Sequence, residues 1–369
     1  PGIYAWDGGL YRLITPGGPS LAVALSTAAD AAPIFNAVTP DGRHVVFTSA
    51  WRFDDAAGGP DDPGRLEPNE LLFHAAGGTM RVIGALPDGS IAPEAQAGSG
   101  FLSTHNAISR DGRWIYFTAS EQNQGPLYVY DVEAGESTEI EPSGASFYAA
   151  TPDGGKAVYL WNNSAYLYDR ASRTRELIAT GVETVLAASE DLERIYVTST
   201  STGAAKSIFV WHDGALRLVA RLEDDNDEPN TGPGTVPYTA PPNLNAWMNQ
   251  EAVAWGKDAS VLVFSTTAHV TDYDSRGTRQ VYVYDDASGE LACVSCPDEA
   301  PTGDAVLRRR FGLLGSNARP IGPRNNVSFD GRRVFFETVD PLVEQGVFNL
   351  YLREDLRTPG AGAFRLLTA

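Results

Sequence analysis

The chain has 369 residues, 43% of them apolar, with a net charge of −19 and a pI near 4.6. So acidic a surface repels phosphate backbones and anionic headgroups, which excludes nonspecific nucleic-acid binding. No apolar run approaches the ~18 residues of a membrane-spanning helix, so no membrane insertion is expected.

Residues 3–15 read as a β-hairpin, because two alternating runs flank Asp7-Gly8-Gly9, a tight-turn signal. The chain opens at Pro1-Gly2, without a Met or a visible signal peptide, and reads as a piece of something longer. The first Asp-centred stretch follows, Thr39-Pro40-Asp41-Gly42-Arg43, and runs into the apolar segment Val45-Val46-Phe47. Its clearest copy is Ser109-Arg110-Asp111-Gly112-Arg113-Trp114-Ile115-Tyr116-Phe117, and others centre on Asp153, Asp191, Asp258 and Asp330. Each copy predicts a short inner strand (A), a turn and a second strand (B). An Asp preceded two residues earlier by Ser or Thr makes such a turn. A catalytic residue need occur only once, so six copies assign these Asp residues to architecture.

A second hairpin (strands C and D) follows each Asp-centred pair, as in Leu127-Tyr128-Val129-Tyr130-Asp131 and Ile208-Phe209-Val210-Trp211-His212. One A-B-C-D set is a four-stranded meander that cannot bury both faces alone, so copies must stack face to face. The expected fold is an all-β β-propeller. Its sets span about 34–84, 104–142, 147–180, 184–221, 251–296 and 325–368, with a half-blade at 1–15. Six A-B pairs stand against seven hairpins, which favours seven blades, one of them incomplete, over six. A half-blade exposes a strand edge that invites another chain.

The pattern [Ser/Thr]-x-Asp-Gly-[Arg/Lys]-x-aliphatic-x-Phe, followed by Leu-Tyr-Val-Tyr-Asp, resembles the TolB-like, WD-related propeller repeat of bacterial envelope and secreted proteins. The stretch 282–296, with Pro301-Thr302-Gly303-Asp304-Ala305 after it, resembles large actinobacterial surface propellers. These resemblances imply a setting outside the cytoplasm (extracellular, cell-surface or periplasmic), and the second implies a disulfide. The residues of Cys293-Val294-Ser295-Cys296 favour a local disulfide ahead of free thiols or redox chemistry, since no helix N-terminus follows to lower a thiol pKa.

Long insertions fall in the predicted B–C loops (50–70, 265–279) and D–A loops (84–105, 220–251, 297–325), which share one rim. Loops carry function disproportionately, so that rim is the expected site. Trp51, Phe53, Tyr238, Trp247 and Tyr273 could stack a sugar or anchor a peptide there, or pin the loops. His105 heads an inner strand. In the acidic run 223–228, Asp224, Asn226 and Glu228 are the alternate oxygen donors that calcium would take, although the EF-hand spacing is missing. No G-x-S-x-G elbow, P-loop or zinc spacing is present. The expected function is a non-catalytic binding or assembly module, taking a protein partner or copies of itself, with carbohydrate as a further ligand class. The alternative is a hydrolase or lyase acting on polysaccharide or peptide at the channel mouth.

Overall fold

The computed structural model describes residues 3–7, 10–14, 34–51, 53, 66–98, 106–120, 125–200, 206–222, 253–307, 326–338, 340, 342, 349–354 and 364–366. Among them the fold is all-β, of the β-propeller class, with every paired strand antiparallel. Strands β1 (Tyr4–Asp7) and β2 (Leu10–Leu13) form a two-stranded hairpin. The first four-stranded set is β3 (Ile34–Val38), β4 (His44–Trp51), β5 (Leu66–Ala76) and β6 (Thr79–Ile83).

The second and third sets merge into one sheet of seven strands. It runs through β7 (Ala95–Gln96), β8 (Trp114–Ala119), β9 (Gly125–Asp131), β10 (Glu136–Ala150), β11 (Lys156–Trp161), β12 (Ser164–Asp169) and β13 (Thr174–Thr180). The 15-residue β10 pairs with β9 through its first half and with β11 through its second. It therefore closes one set and opens the next with no loop between. Three further sets are β14 (Val182–Ala188) to β17 (Ala215–Arg221), β18 (Val253–Trp255) to β21 (Glu290–Cys293), and β22 (Ala305–Val306) to β25 (Phe364–Leu366). Within them lie β15 (Arg194–Ser199), β16 (Ser207–His212), β19 (Val261–Thr266), β20 (Gln280–Asp285), β23 (Val334–Thr338) and β24 (Asn349–Arg353). The described residues thus hold six four-stranded sets and one two-stranded hairpin. The chain divides into two compact units, residues 1–162 with 166–176, and residues 163–165 with 177–369.

Two set boundaries differ from the sequence reading. The second and sixth sets begin at Ala95 and Ala305, upstream of 104 and 325. Ala95-Gln96 pairs with the far end of β8, whereas Ile108 bridges Ile115 at its near end. Ala305-Val306 pairs with β23 at Thr338 and Glu337, and Val327 bridges Val334. In both sets the inner strand is split by an insertion. The segments 84–105 and 297–325 are therefore not simply D–A loops, since each already contains the first half of strand A.

The turns share one hydrogen-bond pattern. Thr39 Oγ1 donates to Asp41 Oδ1 at 2.7 Å, the Arg43 N–H donates to the same oxygen at 3.0 Å, and the His44 N–H donates to Thr39 Oγ1 at 3.1 Å. The same bonds recur around Asp111, Asp153, Asp191 and Asp330. Gly256 has no hydroxyl to offer Asp258, and Ser260 serves it instead with its N–H and Oγ. The hydroxyl donor is the main influence holding the Asp41, Asp153 and Asp330 carboxyls below their ordinary range.

The glycine after the Asp has two duties. Gly112 and Gly154 have φ of +77° and +67°, a region costly for other residues. They also lie flat under the preceding set, where an added Cβ would meet His44 at 2.2 Å and Trp114 at 2.7 Å. Tyr116 and Tyr196, at matching places in β8 and β15, each donate to a carbonyl of a later turn, Gly154 and Ala259, at 2.9 Å. Stacking is thus fixed by polar bonds at the turns as well as by apolar faces.

Candidate strand-docking face

The hairpin β1–β2 corresponds to strands C and D of a complete set. Ala5-Trp6-Asp7-Gly8-Gly9 matches Val210-Trp211-His212-Asp213-Gly214, and Trp6 pairs with Tyr11 as Trp211 pairs with Leu216. In the complete set, strand C is bonded on both sides, β16 lying between β15 and β17. Among the described residues β1 is bonded only to β2.

The hairpin is seated on one face of the β3–β6 sheet. Ile3 and Ile14 pack against Val45, Phe47, Phe53, Phe73 and Ala75. Phe47 stacks on Phe73 with centroids 5.2 Å apart, and Phe53 meets both rings edge-on. Phe35 lies opposite Phe47 and Val38 opposite Val45, with a bulge between Phe35 and Ala37, so both belong to this same face. The hairpin leaves them 38% and 43% exposed.

Strand β10 shows what normally covers these positions. It repeats the register, with Phe147 opposite Tyr159, Ala150 opposite Ala157 and a bulge between Phe147 and Ala149. Phe147 and Ala150 are only 0% and 1% exposed. Tyr116, from strand B of the preceding set, stacks on Phe147 at 5.5 Å. Strand β14 has the same bulge and a buried Val185 at the position of Phe35. Phe35 and Val38 are therefore more exposed than their counterparts Phe147 and Ala150 in the equivalent register.

The residues singled out from the sequence fall in several places. Phe53 belongs to the aromatic core described above, and Trp51 packs half-buried against it. Phe53 is thus a packing residue rather than an open platform, because its ring is engaged by Phe47 and Phe73. Tyr273 is half-buried in the other unit, and its hydroxyl donates to the Glu299 carbonyl at 3.4 Å. His105, Tyr238, Trp247, Asp224, Asn226 and Glu228 lie outside the described residues. No group of three or more His, Cys, Asp or Glu able to hold a metal occurs among the described residues.

Cys293 and Cys296 are joined as a disulfide. It closes the turn that ends β21 and places the buried Ser295 against β20. There Ser295 Oγ accepts the Val281 N–H at 2.8 Å and donates to Gln280 Oε1 at 2.7 Å. Val294 and Leu307, at either end of the following connection, pack into the core shared by β19, β20 and β23. A Cys293→Ser/Cys296→Ser variant is expected to unfold about 2 kcal/mol more easily, the chain-entropy value for so short a loop, as read from urea melts without reductant.

Three polar clusters escaped the sequence reading. The Asp286 carboxylate is buried, and it accepts from Arg194 Nε at 3.0 Å, from His212 Nδ1 at 2.8 Å and from Arg217. His44 Nδ1 and His74 Nε2 are 3.0 Å apart. Burial, with smaller contributions from His44 and Arg81, pulls His74 down to about 4. The buried Glu141 is paired with Arg175, whose guanidinium lies over the rings of Trp161 and Tyr166. Burial raises the Glu141 carboxyl. The only signal available beforehand was position in the repeat. Trp114 and Arg194 both stand three residues after the turn Asp, and Arg170 and Asp286 both follow the last residue of strand C. Arg170 sits 3.6 Å over the Trp114 ring, where the other unit has the Arg194–Asp286 ion pair.

No protein-family model matches the sequence, and no curated protein matches it. Solved structures similar to it include TolB from Acinetobacter baumannii, at 15% identity and a TM-score of 0.34, covering 80% of this chain. The β-propeller domain of the Trilobed protease from Pyrococcus furiosus is similar at 13% identity and a TM-score of 0.39, covering 91% of this chain and 85% of that one. Oligogalacturonate lyase from Vibrio parahaemolyticus is similar at 13% identity and a TM-score of 0.40, covering 91% and 79%. At that level they bear on neither activity nor partner, and they lend no support to the actinobacterial resemblance read from residues 282–305. The chain spans 59% of the length of the Acinetobacter TolB.

Proposed function

We propose that the chain is a non-catalytic propeller that binds a protein partner, or copies of itself, through the β1 edge and the face carrying Phe35 and Val38. One observation carries the reading. Two apolar side chains are 38% and 43% exposed at positions that are 0% and 1% exposed in β10, beside a strand bonded on one side among the described residues. Exposed apolar surface next to an open strand edge favours association. A setting outside the cytoplasm belongs to the same proposal and is supported by the Cys293–Cys296 disulfide. Calcium at Asp224, Asn226 and Glu228, and a carbohydrate ligand on the rim, rest on the sequence alone.

Light scattering tests the assembly form. The apparent mass of the purified chain is expected to rise above 39.5 kDa with concentration. A Phe35→Asp/Val38→Asp variant is expected to stay at the monomer mass. If the unaltered chain keeps the monomer mass throughout, self-assembly is refuted and only a different protein remains as partner.

A further inference from the structure

We infer that the seam between the first and second four-stranded sets is an acid-released joint, with the imidazole pair of His44 and His74 as its catch. Both sets lie in one compact unit, and the inference is independent of the binding reading above.

The placement of the pair carries the inference. His44 begins β4, and the buried His74 lies in β5, opposite Val46. The His44 ring has two flat neighbours. One is the His74 ring, stacked at a centroid distance of 5.2 Å and 12° from parallel. The other is the backbone of Gly112, in the Asp111 turn of the second set, so close that a Cβ there would meet His44 Nδ1 at 2.2 Å. Arg81, opposite His74 on β6, reaches the second set as well, its Nη2 donating to the Val132 carbonyl at 3.0 Å. Three adjacent strands thus meet the second set along one line through this pair.

His44 Nδ1 and His74 Nε2, 3.0 Å apart, keep their hydrogen bond only while one of the two nitrogens carries no proton. With both rings protonated, two N–H groups point at one another and two positive charges share a buried place. The charged and titratable groups around the pair are Asp41, Arg43 and Arg81 in the first set, and Asp111, Arg113, Tyr130, Asp131 and Glu133 in the second. The carboxylates among them already serve other donors. Asp41 accepts from Thr39 Oγ1 and the Arg43 N–H, Asp111 from Ser109 Oγ and the Arg113 N–H, and Asp131 and Glu133 are both paired with Arg113. The second proton therefore enters when the rings part. Strands β4, β5 and β6 belong to one hydrogen-bonded sheet and β8 and β9 to another, so opening the seam here breaks no ladder. His74 is held near 4 in the closed seam, against 6.5 when exposed. Above 6.5 neither form takes the proton and the joint stays shut. As the pH falls between these values the open form takes it up and the closed form refuses it, so opening grows ~100-fold between pH 7.5 and 4.

The two cysteines of the chain are joined to each other, so a single introduced thiol reports the opening. Val46→Cys places one at a fully buried position beside His74. Its labelling by dithiodipyridine is timed from pH 7.5 to 4 and divided at each pH by the rate of the same chain in urea. The corrected rate is expected to rise ~100-fold across this range. Ile115→Cys, fully buried on β8 in the same core, is expected to rise with it and serves where Val46→Cys does not fold. Val210→Cys, fully buried in the other unit, is expected to rise less than about 10-fold. Adding His74→Gln to Val46→Cys is expected to abolish the rise. A labelling rate at positions 46 and 115 that stays flat with pH overturns the inference. So does a rise at position 210 as large as at position 46, because acid then loosens the whole chain and not this seam. A rise that persists in the His74→Gln chain overturns it too.

Discussion

Asp286→Ala is expected to lower the unfolding free energy by about 3 kcal/mol, toward the low end of the ~3–5 kcal/mol for breaking a buried ion pair. The carboxylate has a side-chain exposure of 2% and faces three donors, Arg194, His212 and Arg217. Its removal leaves two guanidinium groups facing each other across an emptied space. The Arg217 and Arg194 side chains are 43% and 24% exposed, so they can turn partly toward water, which sets the low end. Asp286→Asn is expected to cost less, because the amide oxygen still accepts one of these bonds. Adding Arg217→Ala to Asp286→Ala is expected to cost less than the sum of the two single changes, since the charge left unpaired is then gone. Urea melts of the five proteins at neutral pH check this, and an Asp286→Ala protein as stable as the unaltered chain would show that the cluster does not hold the two sets together.

Stability is also expected to fall by about 3 kcal/mol as the pH drops from 6.5 to 4, and His74 is the cause. Burial holds its imidazole near 4 in the folded chain, against 6.5 when unfolded. Between those values the unfolded chain takes up a proton that the folded chain refuses, so stability is lost as the pH falls through this window and levels off below it. His44 at 3.0 Å and Arg81 on the adjacent strand both oppose a positive charge there. The turn carboxylates act in a different window. Asp41, Asp153 and Asp330 lie below the ordinary value of 3.8, so their stabilisation is complete above it and is lost only in stronger acid. His74→Gln is therefore expected to flatten the stability profile between pH 6.5 and 4 and leave the decline below 3.8 in place. Urea melts at half-unit intervals of pH separate the two, and a profile unchanged by His74→Gln would remove the histidine from this account.

Much of the architecture could be read from residues alone. The Asp-Gly turns, the alternating B strands and the Tyr-Val-Tyr-Asp hairpins each carry a strong local pattern. What stayed hidden is physically explicable. Ala95-Gln96 and Ala305-Val306 are two-residue strands without aromatic or alternating character, and only their bonds to the far ends of β8 and β23 define them. The contact three residues after the turn Asp changes chemistry from a Trp–Arg stack to an Arg–Asp ion pair, so no single residue type announces it. Phe35 and Val38 look like any core residues in the sequence. Only the comparison with Phe147 and Ala150 shows that they are more exposed than the same positions of another set.

The unbroken run of β10 has a consequence for how the molecule comes apart. Where two sheets are joined by a loop, one can open while the other holds, because the link absorbs the movement. Here the last strand of one set is the first strand of the next, and its 15 residues hold ladders on both sides. Melting either ladder strips order from the strand that templates the other. These two sets should therefore behave as a single cooperative segment. Tension entering at β9 would pass along one backbone into β11, with only the bulge between Glu141 and Ala145 to absorb it.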